Sequence, residues 1–498
     1  MSRRPDIPLR GDKQEDNRGW PAVTSETVAA GSRTHAPRRC CARPILLALV
    51  VSLWSGCRAP GSQPGEASSA AQLPGDRVQE PGEESDEEPA HASSATLQKN
   101  VYTPDPRDLG TPAFPIDDPS GVALDGFYAA LTRTDDSGGP QAITRVAHFG
   151  DSSIGQDGLP HELRKRFQDR FGDAGGGFVL LHKSSNNYLN RVVETRSNEL
   201  WDVCYIAYGC RSDGRYGYGG HLFSGARGAV AKFSTTHPGN LGDKALRFEL
   251  WYQAWPQGGR VELVVDGEST VTLDTRQATK QDLWHALEVP LGAHSFEVKA
   301  RGPGEFRGYG AVLESEGPGV VWDTMSMNGA FTKRLLFFAD AHISGQVAHR
   351  NPDLIVLNYG GNDLRRFANL NVYPDRFREE VAAAMERLRS GKPEVSCLVM
   401  GVIDHGRSGT YPVEPEHVAL LVAIQREVAH AQGCAFFDSY EAMGGEGSIR
   451  RWRKLRPSLA SADLKHLNAR GRERMAGYIY EGLLHGYVTY RRRVSDSP

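Results

Sequence analysis

Two stretches of this 498-residue chain alternate a short apolar strand with an amphipathic helix, and a long segment of different pattern lies between them. The first runs from a strand at Arg145 to Phe149, through a Gly-Asp-Ser turn, into a helix from Gly158 to Phe171. The second resumes with the near-continuous apolar strand Asp353 to Asn358, followed by Gly360-Gly361 and a helix over Phe377 to Leu388. It continues through a strand at Val395 to Val402, a helix at Pro415 to Gln432, a strand at Cys434 to Phe437 and a closing helix at Arg470 to Leu484. Pro415 suits a first helical position, where no N–H is needed. Strands alternating with helices predict an α/β domain, a parallel sheet covered by helices on both faces. The intervening residues 195–318 alternate apolar with polar side chains instead, as in Ala245 to Trp251 and Arg260 to Asp266, with Asp266-Gly267 as a hairpin signal. Further short strands at Leu287 to Val289, Ser295 to Ala300 and Gly308 to Glu314 predict an antiparallel β-sandwich inserted into the α/β domain. The domain therefore reads as two parts, 96–194 and 319–490, with the module at 195–318.

The longest apolar run, Ile45 to Trp54, has ten residues and includes Ser52, too short for the ~20 that cross a bilayer. It follows Arg38, Arg39 and Arg43 and ends in Leu53-Trp54-Ser55-Gly56-Cys57, the charged, apolar and small-residue order of an export signal. Cys57 resembles the lipidated cysteine of a bacterial lipoprotein, with Trp54 where Leu is usual. That reading makes residues 1–57 an export signal and Cys57 a lipid anchor at the cell envelope, in the periplasm or at the outer membrane. Residues 58–95 carry eight acids against Arg58 and Arg77 among Pro, Gly, Ser and Ala, a composition that cannot bury enough surface to fold and reads as a disordered tether. Across the chain 58 Lys and Arg meet 61 Asp and Glu, so there is no basic footprint and nucleic acid is excluded as a partner. Cys204, Cys210, Cys397 and Cys434 remain after the leader, an even number suited to an oxidising compartment. Cys204 and Cys210 are spaced to pair, whereas Cys397 and Cys434 read as core residues or a second pair. No CxxC or HExxH occurs, so no metal site is expected.

Three polar turns follow predicted strands or precede the last helix. Gly150-Asp151-Ser152 sets a serine beyond the first strand, Tyr359-Gly360-Gly361-Asn362-Asp363 an amide donor beyond another, and Asp463-Leu464-Lys465-His466 a carboxylate three residues before an imidazole. That last spacing lets Asp hold His Nδ1–H and leaves Nε2 as a base. Each alone is an ordinary turn, but their order resembles the SGNH, or GDSL-type, hydrolase family. The resemblance implies a flavodoxin-like three-layer α/β/α sandwich with Ser152 as nucleophile, His466 as general base and acid, and Asp463 as its orienting carboxylate. It implies an oxyanion hole built from Asn362, the Ser152 N–H and a glycine N–H, for which Gly329 in Met327-Asn328-Gly329-Ala330 is the candidate. The glycine-rich Phe171 to Phe178, Asn328-Gly329-Ala330 and Ala442-Met443-Gly444-Gly445 narrow the likeness to the bacterial peptidoglycan O-acetylesterase branch, in which a carbohydrate-binding-module-like β-domain is inserted at this place. Gly361, Asp363 and Ser153 depart from that branch's usual Thr, Glu and His.

The implied activity is hydrolysis of O-acetyl esters on a cell-envelope or extracellular polysaccharide, which would be the partner, with no cofactor. Acetyl transfer between sugars and glycan binding without catalysis remain as alternatives. The module is expected to present the polymer and to be removable without loss of small-ester turnover. His148 reads as a satisfied sheet-end histidine, and Asp404-His405, at the carboxyl edge of a strand, as a solvated loop with pocket lining as the alternative. Trp251, Trp255 and Trp284 read as module core unless exposed to stack on sugar.

Overall fold

The computed structural model describes residues 102–137, 139–185, 188–368, 373–406 and 413–496, all within a single unit, Ser94–Pro498. The leader and tether, Cys57 included, lie outside the described residues. Helix α1 (Asp125–Ser137) precedes strand β1 (Ile143–Gly150), whose last five residues are all buried, as a strand covered on both faces must be. Helix α2 (Gly158–Phe171) follows the serine turn.

After α2 come, among the described residues, eleven strands of the module. They are β2 (Gly177–Leu180), β3 (Glu194–Ser197), β4 (Trp201–Tyr205), β5 (His221–Gly225), β6 (Val230–Ser234) and β7 (Ala245–Ala254), then β8 (Arg260–Val265), β9 (Glu268–Asp274), β10 (Gln281–Gly292), β11 (Ser295–Ala300) and β12 (Phe306–Glu314). One sheet runs β10-β7-β12-β5-β4 with β2 also on β12, and the other runs β3-β6-β11-β8-β9. Phe248 and Phe296 stack at 4.6 Å between the two, the packing that alternation in β7 and β11 predicts. Asp266 (φ 51°) and Gly267 (φ 90°) turn β8 into β9, both in the left-handed region that a two-residue hairpin of this type needs. Because β2 pairs with β12, the strand-rich part opens at Gly177 rather than near residue 195. Four apolar residues behind a glycine run carry no alternation to signal a strand.

The chain then re-enters the first sheet with β13 (Gly319–Ser326), α3 (Asp340–Arg350), β14 (Leu354–Asn358), α4 (Tyr373–Arg389), β15 (Ser396–Met400), α5 (Pro415–Ala431) and β16 (Ala435–Phe437). Helices α6 (Ser439–Ala442), α7 (Ser448–Lys454) and α8 (Ala469–Asp496) complete it, α8 running well past its expected end. The sheet order is β13-β1-β14-β15-β16, all parallel. On one face α1, α2 and α8 bring Phe127, Leu163, Phe167 and Leu483 onto Val146, Trp322 and Val356. The other face carries the second helical layer expected and, beyond it, a contact the sequence did not signal. Helices α3 to α5 cover part of it, and the module's larger sheet shares the same continuous core with Ala147, Phe149, Ile355 and Leu357. Tyr218 of the module packs edge-on against Phe149 at 5.5 Å.

Helix α3 fastens the two parts. His342 lies between Asp282 Oδ2, 2.7 Å from Nδ1, and the Gly217 N–H, which donates to Nε2 at 2.8 Å. The His349 ring stacks on Trp284 at 4.0 Å. Buried Arg350 bonds Glu314 of β12 and Asp323 of β13, each at 2.6 Å, and Arg145 of β1 reaches the same Glu314 at 2.8 Å. Burial alone would raise the Glu314 pKa, but Arg350 and Arg145 overcome it and hold the carboxyl at about 2. That is below its unfolded value of ~4.3. The ion network therefore stabilises the fold fully above about pH 5 and loses that contribution as pH falls toward 2. Urea unfolding between pH 6 and 2.5 should show this loss. Glu314→Gln should be less stable at pH 6 and show a flatter profile over the same window. Equal slopes would remove Glu314 from the acid response.

Cys204 and Cys210 are joined, as are Cys397 and Cys434, the second pair lying where the sequence leaned to plain core residues. Trp251 is core. Trp284 is covered by His349, and the Trp255 ring carries the Arg307 guanidinium 3.5 Å from its centroid.

Candidate active site

Adjacent parallel strands end at one level, and this brings the serine turn, the Gly329 loop and the Asn362 turn together. Gly150 is in register with Ser326 of β13 on one side and Asn358 of β14 on the other, so Gly329, Ser152 and Asn362 leave neighbouring strands at the carboxyl edge of the sheet. Beyond β1 a short helical turn, Ser152–Asp157, begins with Asp151 accepting the Ser153 N–H at 2.8 Å. Its far end is locked by a buried pair: Arg164 of α2 bonds both Asp157 oxygens (2.8 and 3.2 Å) and the Trp322 carbonyl. Asp157 sits at φ 50° and also accepts from Thr324 at 2.7 Å.

Ser152 Oγ lies 2.8 Å from His466 Nε2, and His466 Nδ1 lies 2.6 Å from Asp463 Oδ2. Asp463 Oδ1 accepts the backbone N–H groups of Lys465 and His466 at 3.0 and 3.2 Å, with Leu464 at φ 56° closing the turn. Partial burial would raise the Asp463 pKa, but the His466 bond and these two N–H groups bring it below its usual value, so it is ionised when it holds the imidazole. The arrangement lets Ser152 pass its proton to Nε2 while Asp463 stabilises the imidazolium.

Among the described residues neither the Ser152 nor the Gly329 backbone N–H has an acceptor, as an oxyanion hole requires. Gly329 takes φ 78°, a left-handed conformation suited to glycine, at the end of β13, which is a full strand where the sequence offered only Val320 to Trp322. Asn362 differs from the sequence expectation: its amide donates to Asp151 Oδ2 at 3.2 Å and to the Ala330 carbonyl at 3.1 Å. Both of its hydrogens therefore have protein acceptors in this state, and Asn362 ties the serine turn to the Gly329 loop. Burial raises the Asp151 pKa, partly offset by Ser153 and His466. Next to Asn362, buried Asp363 accepts from Thr332 N, Thr332 Oγ1 and Tyr373 OH at 2.8 to 2.9 Å, and burial pushes its pKa up to about 6.

Before the triad lies a cavity of about 140 Å³ whose apolar wall includes Leu159, Met400, Val402 and Met475. His405 lines it, so the solvated-loop reading gives way to a pocket residue. Its Nδ1 lies 2.8 Å from the Ile403 carbonyl, and burial lowers its pKa to about 4, which leaves it neutral. Asp404 is buried and accepts the Ile449 N–H at 2.9 Å at the start of α7. His148 is only half satisfied: Nδ1 accepts from Trp322 at 3.3 Å, while Nε2 has no partner among the described residues. The links of Asp151 to Asn362 and Asp157 to Arg164 had no sequence signal, because each joins residues whose local pattern reads as a turn or a solvated helix face. The module also reaches the site, with Tyr205 OH on the Asn328 carbonyl at 2.8 Å. Among the described residues no cluster of three or more His, Cys, Asp or Glu is placed to hold a metal, and no helix is long and apolar enough to cross a membrane.

Residues 292–474 match the GDSL-like lipase/acylhydrolase family model, which takes in Gly329, Asn362, Asp463 and His466; Ser152 lies upstream, across the module. No curated protein matches the chain in sequence. Among solved structures, one described as a peptidoglycan O-acetylesterase in action superposes with a TM-score of 0.58 at 22% identity, covering 75% of this chain and 99% of its own. A lipase/acylhydrolase from Enterococcus faecalis (TM-score 0.27, 22% identity, 33% of this chain and 76% of that one) also matches. So does a family two carbohydrate esterase from Clostridium thermocellum in complex with cellohexaose (TM-score 0.24, 12% identity, 58% and 97%).

Proposed function

We propose that this chain, an SGNH/GDSL-type acylhydrolase in fold and family match, removes O-acetyl groups from a cell-envelope or extracellular polysaccharide such as peptidoglycan. The observation that carries the reading is the continuous Ser152–His466–Asp463 hydrogen-bond chain facing a cavity of about 140 Å³. Ser152 Oγ adds to the acetyl carbon as its proton passes to His466 Nε2, and the oxyanion lies against the Ser152 and Gly329 N–H groups. His466 then returns the proton to the sugar oxygen as the ester C–O bond breaks. Water, deprotonated by the same nitrogen, cleaves the acetyl-serine and releases acetate. Two further observations favour a polymer-borne acetyl group: the pocket is small, and the peptidoglycan O-acetylesterase fold extends over 75% of this chain, more than the hydrolase elements alone.

The test is acetate release from O-acetylated peptidoglycan and from acetylated xylan, with p-nitrophenyl acetate as a small reference. Release from either polymer is the expected result. Turnover of the small ester with none from any acetylated polymer would overturn the polysaccharide assignment.

A further inference from the structure

The catalytic pocket has a cationic wall for which the hydrolytic cycle has no use. Arg365, Lys465 and Arg472 all line it in a chain whose overall charge is only −3. Arg472 is the most informative of the three. It sits in the first turn of α8, where a helix macrodipole disfavours a cation. Its guanidinium also lies over the start of α2, a second positive helix end: a Cβ added at Gly158 would fall 2.5 Å from Arg472 Nη1 and 2.8 Å from its Cζ. Arg191 is its charged neighbour, and burial together with Arg191 lowers the Arg472 pKa. Among the described residues no side-chain hydrogen bond or ion pair offsets this repulsion at Arg472. Asp157, the acid at that helix start, already gives both oxygens to Arg164. A guanidinium set against two helix ends and Arg191 raises the energy of the pocket, and an anion bound to it relieves that cost.

We infer that the pocket selects acetyl esters whose sugar unit carries a carboxylate, held by Arg472 beside Ser152 and His466. The inference rests on the esterase reading and names its substrate class. The carboxylate belongs either to the ring, as in a uronate, or to a peptide substituent of the sugar, as in a muropeptide.

The experiment compares kcat/KM for acetylated oligouronate, acetylated muropeptide and neutral acetylated xylo-oligosaccharide, in wild type, Arg472→Gln and Arg472→Lys. Alongside it, calorimetry measures binding of the corresponding deacetylated oligosaccharides. Wild type should prefer at least one carboxylate-bearing ester, and which one identifies the source. Arg472→Gln should cut that preference by about tenfold or more through KM, Arg472→Lys should keep part of it, and added salt should weaken it in wild type. If wild type treats charged and neutral esters alike, or Arg472→Gln changes melting temperature but not the ratio, Arg472 is a packing residue and the inference falls. If no ester is turned over, the esterase reading fails instead. The calorimetric preference for charged over neutral oligosaccharide, and its loss in Arg472→Gln, then still decides the anion site.

Discussion

Ser152→Ala and His466→Ala should each lower acetyl-ester kcat by about 10⁴-fold or more, with Asp463→Asn roughly a hundredfold less severe. Removing Oγ leaves no atom to carry the acetyl group, and removing the imidazole leaves no acceptor for the serine proton. Asparagine at 463 is different, because one oxygen can still accept the Lys465 and His466 N–H groups that Asp463 Oδ1 now holds at 3.0 and 3.2 Å. What is lost is the charge on Oδ2 that fixes the tautomer and stabilises the imidazolium. The pair is half exposed, with 33% of the His466 side chain and 45% of the Asp463 side chain open to solvent, so water takes over part of that role. Stopped assays on p-nitrophenyl acetate with melting curves for each variant provide the check. A folded Ser152→Ala protein that turns over like wild type would remove the nucleophile assignment. Asp463→Asn with unchanged kcat would remove Asp463 from the relay.

The three polar turns were legible because each ends or follows a run of unmistakable period. β1, β14 and the start of α8 are strong local patterns, and Ser152, Asn362 and His466 sit at their ends. The reason the turns converge was not legible. It lies in β1 pairing with β14 on one side and with β13, which brings the Gly329 loop, on the other, and both partners are separated from β1 by the whole module, with only Val320 to Trp322 to signal β13. Arg164 illustrates a second limit. In sequence it is a charged residue on an amphipathic helix; in the fold it is fully buried, because Asp157 turns back toward it from a left-handed conformation that nothing local forecasts. Asn362 shows a third. Its residue type suits an oxyanion donor, but which acceptors its two hydrogens meet depends on Asp151 and Ala330, brought in from two other strands. The module's antiparallel pattern was readable strand by strand. That its larger sheet also packs onto the parallel sheet was not, since a buried strand looks the same whether it faces another strand or a second domain's core.

Excising the module should leave no folded hydrolase, against the sequence expectation that small-ester turnover survives. The join itself is undemanding: the Ser315 N–H bonds the Ala174 carbonyl at 2.9 Å, so a short Gly/Ser linker spans the cut ends. Failure would therefore come from what the module covers. Without it Phe149 loses Tyr218, and Ala147, Ile355 and Leu357 lose the part of their continuous core that the larger sheet supplies. Removing Glu314 leaves buried Arg350 with Asp323 alone, and removing Asp282 and Gly217 strips both partners from His342, which is fully buried. A point variant isolates the electrostatic part. Arg350→Met leaves Asp323 buried and uncompensated and should cost about 3–5 kcal/mol in urea unfolding, whereas adding Asp323→Asn and Glu314→Gln to it should recover part of that loss. Circular dichroism and limited proteolysis of the excised protein give the decisive reading. A soluble product with a cooperative melt and p-nitrophenyl acetate turnover would mean the parallel sheet closes its own face. Loss of the cooperative melt would make the β-module a structural layer of the enzyme, placed so that Tyr205 can hold the Asn328 carbonyl beside the serine it serves.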